Sequence, residues 1–168
     1  RWLVPALLHS GYQAIAVDMP GCGHSPGPEL KTHSRFNLDK GGACEVVCAA
    51  LDALSLKRVT FIGYDWGAGI ALSLGIGCRT RCERLVAFHP SYNVMPGGEL
   101  SRIRTPTLVI WVKEDQFHPL SGWKKMARDM SNDVYEFEVF SSGPDRKHSY
   151  GTHPVIGTRI QARIATFL

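Results

Sequence analysis

The sequence predicts an α/β fold built on an open, mostly parallel sheet with helices on both faces. Two observations predict it. Apolar, strand-like runs alternate with segments of helical periodicity along nearly the whole chain, as in parallel βαβ units with right-handed crossovers. The chain has 168 residues, of which 44% are hydrophobic and 20% charged, so it has enough apolar residues for a core. Residues 1–168 are therefore predicted to form a single domain.

Hydrophobic periodicity predicts the helices and strands of the first half of the chain, and glycine and proline residues mark where they end. Gly11 closes an apolar helix, and the β-favouring residues after it indicate a buried strand. A stretch dense in glycine and proline then indicates a loop before the next helix. In chain order the predicted elements are the end of a helix at Arg1–Ser10, a strand at Tyr12–Asp18, a loop at Pro20–Pro28, a helix at Asn37–Ser55 and a strand at Arg58–Gly63.

The second half continues the same alternation. Small apolar residues predict a helix directly after the strand that ends at Gly63, and three further apolar runs predict the remaining strands. The elements predicted here are a helix at Trp66–Cys78, a strand at Arg84–Phe88, a loop at Pro90–Arg104, a strand at Thr107–Val112, a helix at Ser121–Met130, a strand at Val134–Phe140 and a terminal helix from about Val155.

Charge and cysteine usage exclude several classes of function. Lys and Arg exceed Asp and Glu by 19 to 15 and are scattered, which does not suit a nucleic-acid binder. No apolar run approaches a membrane span. Five cysteines without a signal peptide predict reduced thiols in a cytoplasmic protein. Cys44 and Cys48, like Cys78 and Cys82, are one helical turn apart, and core packing is the preferred interpretation over a metal clip. We expect no metal, no cofactor and a small-molecule partner, with the oligomeric state open.

The segment Val59–Leu72 carries the most specific signal. An apolar strand runs into Gly63-Tyr64-Asp65-Trp66-Gly67 and then into a helix of small residues. The apex of such a sharp turn is strained, so glycines two positions to either side are predicted to prevent clashes. The side chain of Asp65 would stand at a helix N-terminus, where negative charge is favoured. A cap of the following helix is the plainer alternative for this aspartate.

An aspartate at this apex predicts a particular chemistry. A carboxylate is ionised near neutral pH and attacks without a base to deprotonate it. Its natural target is an sp³ carbon bearing a halide or a strained ether oxygen, and the product is an ester that water must cleave. Open parallel sheets bind ligands beyond the carboxyl ends of their strands, where Asp65 is expected.

These residues resemble the α/β-hydrolase superfamily, and the elbow Tyr-Asp-Trp-Gly-Ala is similar to that of epoxide hydrolases and, less closely, of haloalkane dehalogenases. The run from Asp18 to Ser25 resembles the family's D-x-P-G-x-G-x-S loop. The run from Thr105 to Trp111 resembles the strand that delivers the acid. The resemblance covers nearly the whole chain and implies an epoxide or, with less preference, a halide substrate.

The family order of nucleophile, acid and histidine implies Asp65, Asp115 and His148 as the catalytic residues. Glu114 is the neighbouring alternative to Asp115. His153 suits a helix entry better than a base. Four other histidines fit no position in a triad and are predicted to be loop or surface residues: His24, His33, His89 and His118.

The resemblance also implies a role for each residue. Asp65 attacks carbon, Asp115 orients His148, and His148 activates the water that hydrolyses the ester. Trp66 is expected to supply an oxyanion donor through its backbone N–H, or to hold a leaving halide through its indole N–H. Tyr64, Tyr92 and Tyr150 are candidates for the substrate pocket, although packing or rim positions are common for such aromatics.

Two departures from the family pattern qualify this interpretation. Three strands usually precede the segment that opens this sequence, so we expect the N-terminal strands and the second oxyanion donor to be missing. The 11 residues between Asn93 and Thr105 are too few for the helical cap whose tyrosines protonate the epoxide oxygen. The expected type is therefore capless. A non-catalytic interaction protein of this fold, or a capless hydrolase of ester-like substrates, remains the alternative.

Overall fold

Four parallel strands form a sheet in the order in which they occur along the chain. The computed structural model describes residues 3–26, 42–90, 99–130, 133–141 and 154–168. The strands are β1 (Val59–Tyr64), β2 (Cys82–Phe88), β3 (Thr107–Val112) and β4 (Tyr135–Phe140). The helices are α1 (Leu3–His9), α2 (Ala43–Ala53), α3 (Trp66–Gly77), α4 (Leu120–Asp129) and α5 (Pro154–Phe167), with a 3₁₀ turn at Glu99–Arg102.

The register brings the carboxyl ends of the strands to one edge of the sheet. Tyr64 at the end of β1 pairs with Phe88 at the end of β2. Val112 at the end of β3 pairs with Phe140 at the end of β4. Residues that follow these strands in the sequence therefore start from neighbouring points on the same edge.

Helices cover both faces of the sheet, as the sequence predicts. Leu85 and Trp111 belong to a core shared with α2, α3 and α4. Val86 and Ile110, which alternate with them along the strands, belong to a second core shared with α5. All six residues of β3 are buried, which explains why it reads as one continuous apolar run.

Helix α3 is apolar on all sides because it lies buried. Eight of its 12 residues are buried, and it packs on β1 and β2. A surface helix would show one apolar stripe, whereas a buried helix shows apolar residues all round. This helix begins at the residue after Asp65, so its firm packing fixes the position of its N-terminus.

The two spaced cysteine pairs pack in the core as predicted: Cys44, Cys78 and Cys82 are buried, and the partly buried Cys48 packs against them. All five are free thiols. Cys44 on α2 donates a hydrogen bond to the carbonyl of Ser73 at 3.4 Å, and Cys78 donates to the carbonyl of Cys44 at 3.5 Å. These contacts join α2 to α3 and give the thiols a structural role.

The predicted strand at Tyr12–Asp18 is wrong. These residues form no strand, none of them is buried, and Tyr12, Ile15 and Val17 are about half exposed. A strand requires a neighbour to pair its backbone N–H and C=O groups. The described sheet consists of β1 to β4, and this segment adds no ladder to it.

The other element boundaries agree with the prediction to within two residues where they can be compared. The predicted start of the second helix, at residues 37–41, lies outside the described residues. Gly11 closes α1 with a φ of 83°, as expected. None of the helices that the structure describes is both long and apolar enough to cross a bilayer.

Candidate functional site

The turn between β1 and α3 holds Asp65 in a strained conformation, as the sequence predicts. Its φ of 53° and ψ of −115° are rare for a residue with a side chain and cost about 1–3 kcal/mol. The backbone N–H of Asp65 donates to the carbonyl of Phe88 at 2.9 Å. Its carbonyl accepts the N–H groups of Ala68 and Gly69 at 3.0 and 3.2 Å. These hydrogen bonds hold the turn in place despite the strain.

The two glycines that flank this turn differ in their importance. A Cβ on Gly63 would lie 2.0 Å from the backbone oxygen of Gly67, so no larger residue fits there. A Cβ on Gly67 would meet nothing within 4 Å. The predicted steric need for glycine is therefore confirmed at Gly63 and wrong at Gly67.

Asp115 is the buried acid at the carboxyl edge of the sheet. It lies three residues after β3, and its side chain is 0% exposed. One carboxylate oxygen, Oδ1, accepts the backbone N–H groups of Phe117 and His118 at 2.7 and 2.8 Å. Glu114, the alternative acid, accepts a hydrogen bond from the hydroxyl of Ser141 at 2.6 Å. Burial and backbone hydrogen bonds therefore distinguish Asp115 from its neighbour.

His118 lies between the two aspartates. Its Nε2 is 3.1 Å from Oδ1 of Asp65, and its Nδ1 is 3.6 Å from Oδ1 of Asp115. The side chain of His118 is only 12% exposed. The three side chains form a continuous series from the strained turn to the buried acid, and an imidazole in this position can transfer a proton beside Asp65.

His89 supports Asp115 from the other side. It follows β2, has a φ of 49°, and its side chain is fully buried. Its Nε2 accepts the backbone N–H of Val112 at 2.7 Å, so the ring proton lies on Nδ1. Nδ1 in turn lies 3.3 Å from Oδ2 of Asp115. The N–H at Nδ1 of His89 therefore faces this carboxylate.

His89 and His118 lie in loops, as predicted, but the alternative that they are surface residues is wrong. Both side chains are largely buried and lie at the site because they follow strand ends that the register brings together. The available signal was position: His89 comes directly after β2, and His118 comes three residues after Asp115. His24 is exposed, as predicted.

His89, Asp115 and His118 also have the residue types of a metal site, with ligand atoms within 4.8 Å of one another. Hydrogen bonding argues against that use. Nε2 of His89 already accepts an N–H, so a metal at Nδ1 would require removal of the last ring proton. The geometry suits proton transfer and charge stabilisation better than metal binding.

The remaining candidates are only partly described. Tyr64 is 39% exposed, directly precedes Asp65, and its ring centroid lies 4.9 Å from that of Phe88. Trp66 is half-buried and is the first residue of α3. Four residues named from the sequence lie outside the described residues: Tyr92, His148, Tyr150 and His153, as does the loop histidine His33.

A parallel sheet covered by helices, with a strained turn between a strand and the next helix, is typical of the alpha/beta hydrolase fold. Residues 1–96 match the sequence profile of the alpha/beta hydrolase fold family, and the chain belongs to this family. The known structures agree on the fold. A monoacylglycerol lipase from Paleococcus ferrophilus superposes with a TM-score of 0.78 at 14% identity, over 98% of this chain and 86% of the lipase.

Among characterised relatives, the chain is 34% identical over 77 residues to bifunctional epoxide hydrolase 2 of Sus scrofa. That match covers 45% of this chain and 13% of the pig protein. A haloalkane dehalogenase of Psychrobacter cryohalolentis is 30% identical over 99 residues, which cover 59% of this chain and 30% of the dehalogenase. The chain thus matches only a minor part of the length of each relative.

Proposed function

We propose that the protein is a hydrolase that opens a C–O or C–halogen bond through a covalent ester on Asp65. The position of this carboxylate supports the proposal. Asp65 stands at a strained turn, at the N-terminus of a buried helix, and within 3.1 Å of a histidine that also lies beside a buried aspartate. Negative charge is favoured at a helix N-terminus, which suits a carboxylate nucleophile.

The reaction has two steps. A carboxylate oxygen of Asp65 attacks an sp³ carbon, and the bond to the leaving group breaks with its electron pair. An epoxide oxygen leaves as an alkoxide that takes a proton from water, whereas a halide leaves as the free anion. Water then adds to the ester carbonyl with help from a histidine base oriented by Asp115. The sequence assigns that base to His148. The backbone N–H of Trp66 is the proposed oxyanion donor.

We infer a small-molecule substrate, with an epoxide preferred over an alkyl halide. The preference rests on the similarity of the chain to an epoxide hydrolase, with a more distant similarity to a haloalkane dehalogenase. Tyr64 is the described candidate for the pocket wall, and Tyr92 and Tyr150 are the others. Only 18 residues separate Phe88 from Thr107, which supports a capless site open to bulky substrates.

Hydrolysis assays test this function directly. Styrene oxide, butyl bromide and p-nitrophenyl acetate serve as probes, with the wild type compared with Asp65→Asn and with Asp133→Asn as an exposed matched control. We expect hydrolysis of the epoxide or the bromide, lost roughly 10³-fold or more in Asp65→Asn alone. Full activity of Asp65→Asn would disprove the nucleophile. Hydrolysis of the acetate ester alone would favour ester chemistry, and no hydrolysis would favour a non-catalytic scaffold.

A further inference from the structure

We propose that a cleft lined by three arginines, at the edge of the sheet opposite Asp65, binds a small phosphate monoester. The cleft has a volume of about 310 Å³. Its lining residues are Ile76, Arg79, Arg102 and Arg104. The proposal is independent of the proposed hydrolysis, because none of these residues belongs to the site at the carboxyl edge of the sheet.

The topology places this cleft at the amino edge of the sheet. Arg79 lies two residues beyond the end of α3, and Arg104 lies three residues before the start of β3. The four strands of the described sheet are parallel, so their starts lie at the edge opposite their ends. Helix α3 has 12 residues and is about 18 Å long, and Asp65 lies at its other end. A ligand in the cleft therefore binds apart from a ligand at Asp65.

The cleft has an excess of positive charge. Arg102 pairs with Glu99 in the same 3₁₀ turn, which offsets its charge. Arg79 and Arg104 form no ion pair with any carboxylate in the part of the chain that the structure describes. Two positive charges therefore remain for a ligand. A phosphate monoester carries a charge of about −1.5 to −2 at pH 7, which matches them.

The surrounding backbone orients the guanidinium of Arg104. Its Nη1 donates to the carbonyl of Ser101 at 2.6 Å and to that of Ile103 at 3.3 Å. These bonds leave the edge formed by Nε and Nη2, whose N–H groups can bind two oxygens of one phosphate side by side. The turn before it is also held, because the hydroxyl of Tyr135 donates to the carbonyl of Leu100 at 2.6 Å. The guanidinium therefore loses little freedom when it binds an anion.

Ile76 gives the cleft an apolar wall. This residue lies in the last turn of α3 and is 7% exposed. A bare anion gains nothing from an apolar contact, whereas a short carbon chain attached to a phosphate does. The volume of about 310 Å³ is at the lower end of the range for small-molecule sites, about 300–1,000 Å³. A monoester with a few carbon atoms therefore suits the cleft better than a nucleotide.

Isothermal titration calorimetry with glycerol 3-phosphate tests the proposal, with inorganic phosphate and acetate as comparison anions at constant ionic strength. The variants Arg79→Gln and Arg104→Gln each remove one charge, whereas Arg104→Lys keeps the charge and loses the paired N–H donors. Arg58→Gln is the matched control, because Arg58 is exposed, directly precedes β1 at the same edge and does not line the cleft. Circular dichroism checks that each variant is folded.

We expect glycerol 3-phosphate to bind the wild type more tightly than inorganic phosphate does, and acetate to bind least. Arg79→Gln and Arg104→Gln should each weaken binding about 10-fold, and Arg104→Lys nearly as much, whereas Arg58→Gln should change it less than about 2-fold. An equal loss in Arg58→Gln would show attraction to general surface charge and overturn the site. No measurable binding to the folded wild type, or binding of inorganic phosphate as tight as that of the monoester, would also overturn the proposal.

Discussion

Gly63 and Gly67 provide a matched test of how the turn holds Asp65. Both glycines flank the same residue at the same spacing, and both are replaced by alanine. The structure gives them opposite environments: the added Cβ would lie 2.0 Å from the oxygen of Gly67 in one case and would meet nothing within 4 Å in the other. One substitution therefore strains the backbone, and the other does not.

The effect of each substitution on the free energy of unfolding follows from these contacts. An overlap with backbone atoms cannot be relieved by a side-chain rotation, so Gly63→Ala should cost about 3 kcal/mol, the upper end of overpacking effects. Gly67 lies in the first turn of α3, where alanine is preferred to glycine by about 0.5–1 kcal/mol. The two variants should differ by about 4 kcal/mol in the free energy of unfolding, with Gly67→Ala the more stable.

Urea denaturation measures the difference through the transition midpoint and the m-value. In a chain of this size the difference corresponds to a separation in Tm of about 10 °C. Equal midpoints for the two variants would refute the close approach of Gly63 to α3. Gly63→Ala should also lose hydrolytic activity, because relief of the overlap displaces Asp65.

Three further predictions concern the site and the core. Asp65→Gly should be more stable than Asp65→Ala by about 0.5–2 kcal/mol, because the strain that glycine relieves at this positive φ exceeds the entropy that glycine loses on folding. Equal urea midpoints for the two variants would argue against that strain. Asp115→Ala should lower the free energy of unfolding, measured by thermal denaturation, by about 2–4 kcal/mol, because two backbone N–H groups lose their acceptor. Glu114→Ala should lower it by less than about 1 kcal/mol. Similar losses for both variants would contradict the burial of Asp115. Burial raises the pKa of the Cys82 thiol from 9.0 to about 11. At pH 8 an alkylating reagent should therefore label Cys82 in the native protein about 100-fold more slowly than an unperturbed thiol, and the rate should rise toward pH 11. Labelling of Cys82 at pH 8 as fast as that of the half-buried Cys22 would contradict this prediction.

The sequence predicts the parts of the fold whose cause is local. The turn at Asp65 is predictable because three local signals lie within one short segment. They are an apolar strand, a glycine at a position with no room for a Cβ, and a helix of small residues. The continuous run Thr107–Val112 is predictable because a strand buried on both faces has no polar alternation.

The features that the sequence misses depend on distant partners. Tyr12–Asp18 has the composition of a strand, but a strand exists only beside another strand, and no local pattern supplies that neighbour. His89 and His118 are far apart from Asp65 in the chain, and only the parallel register of β1, β2 and β3 brings all three to one edge. The tautomer of His89 depends on the N–H of Val112, which no motif encodes.

Oxygen labelling distinguishes a covalent ester on Asp65 from direct attack of water on the substrate. The wild type turns over styrene oxide many times in H₂¹⁸O and is then digested with trypsin in ordinary water. Peptide Val59–Arg79 contains Asp65 as its sole acidic side chain, and the peptide that begins at Glu114 and contains Asp115 serves as the internal control. We predict ¹⁸O in the first peptide and none in the second, because water attacks the ester carbonyl. Turnover that leaves both peptides unlabelled would show direct attack by water and contradict the mechanism.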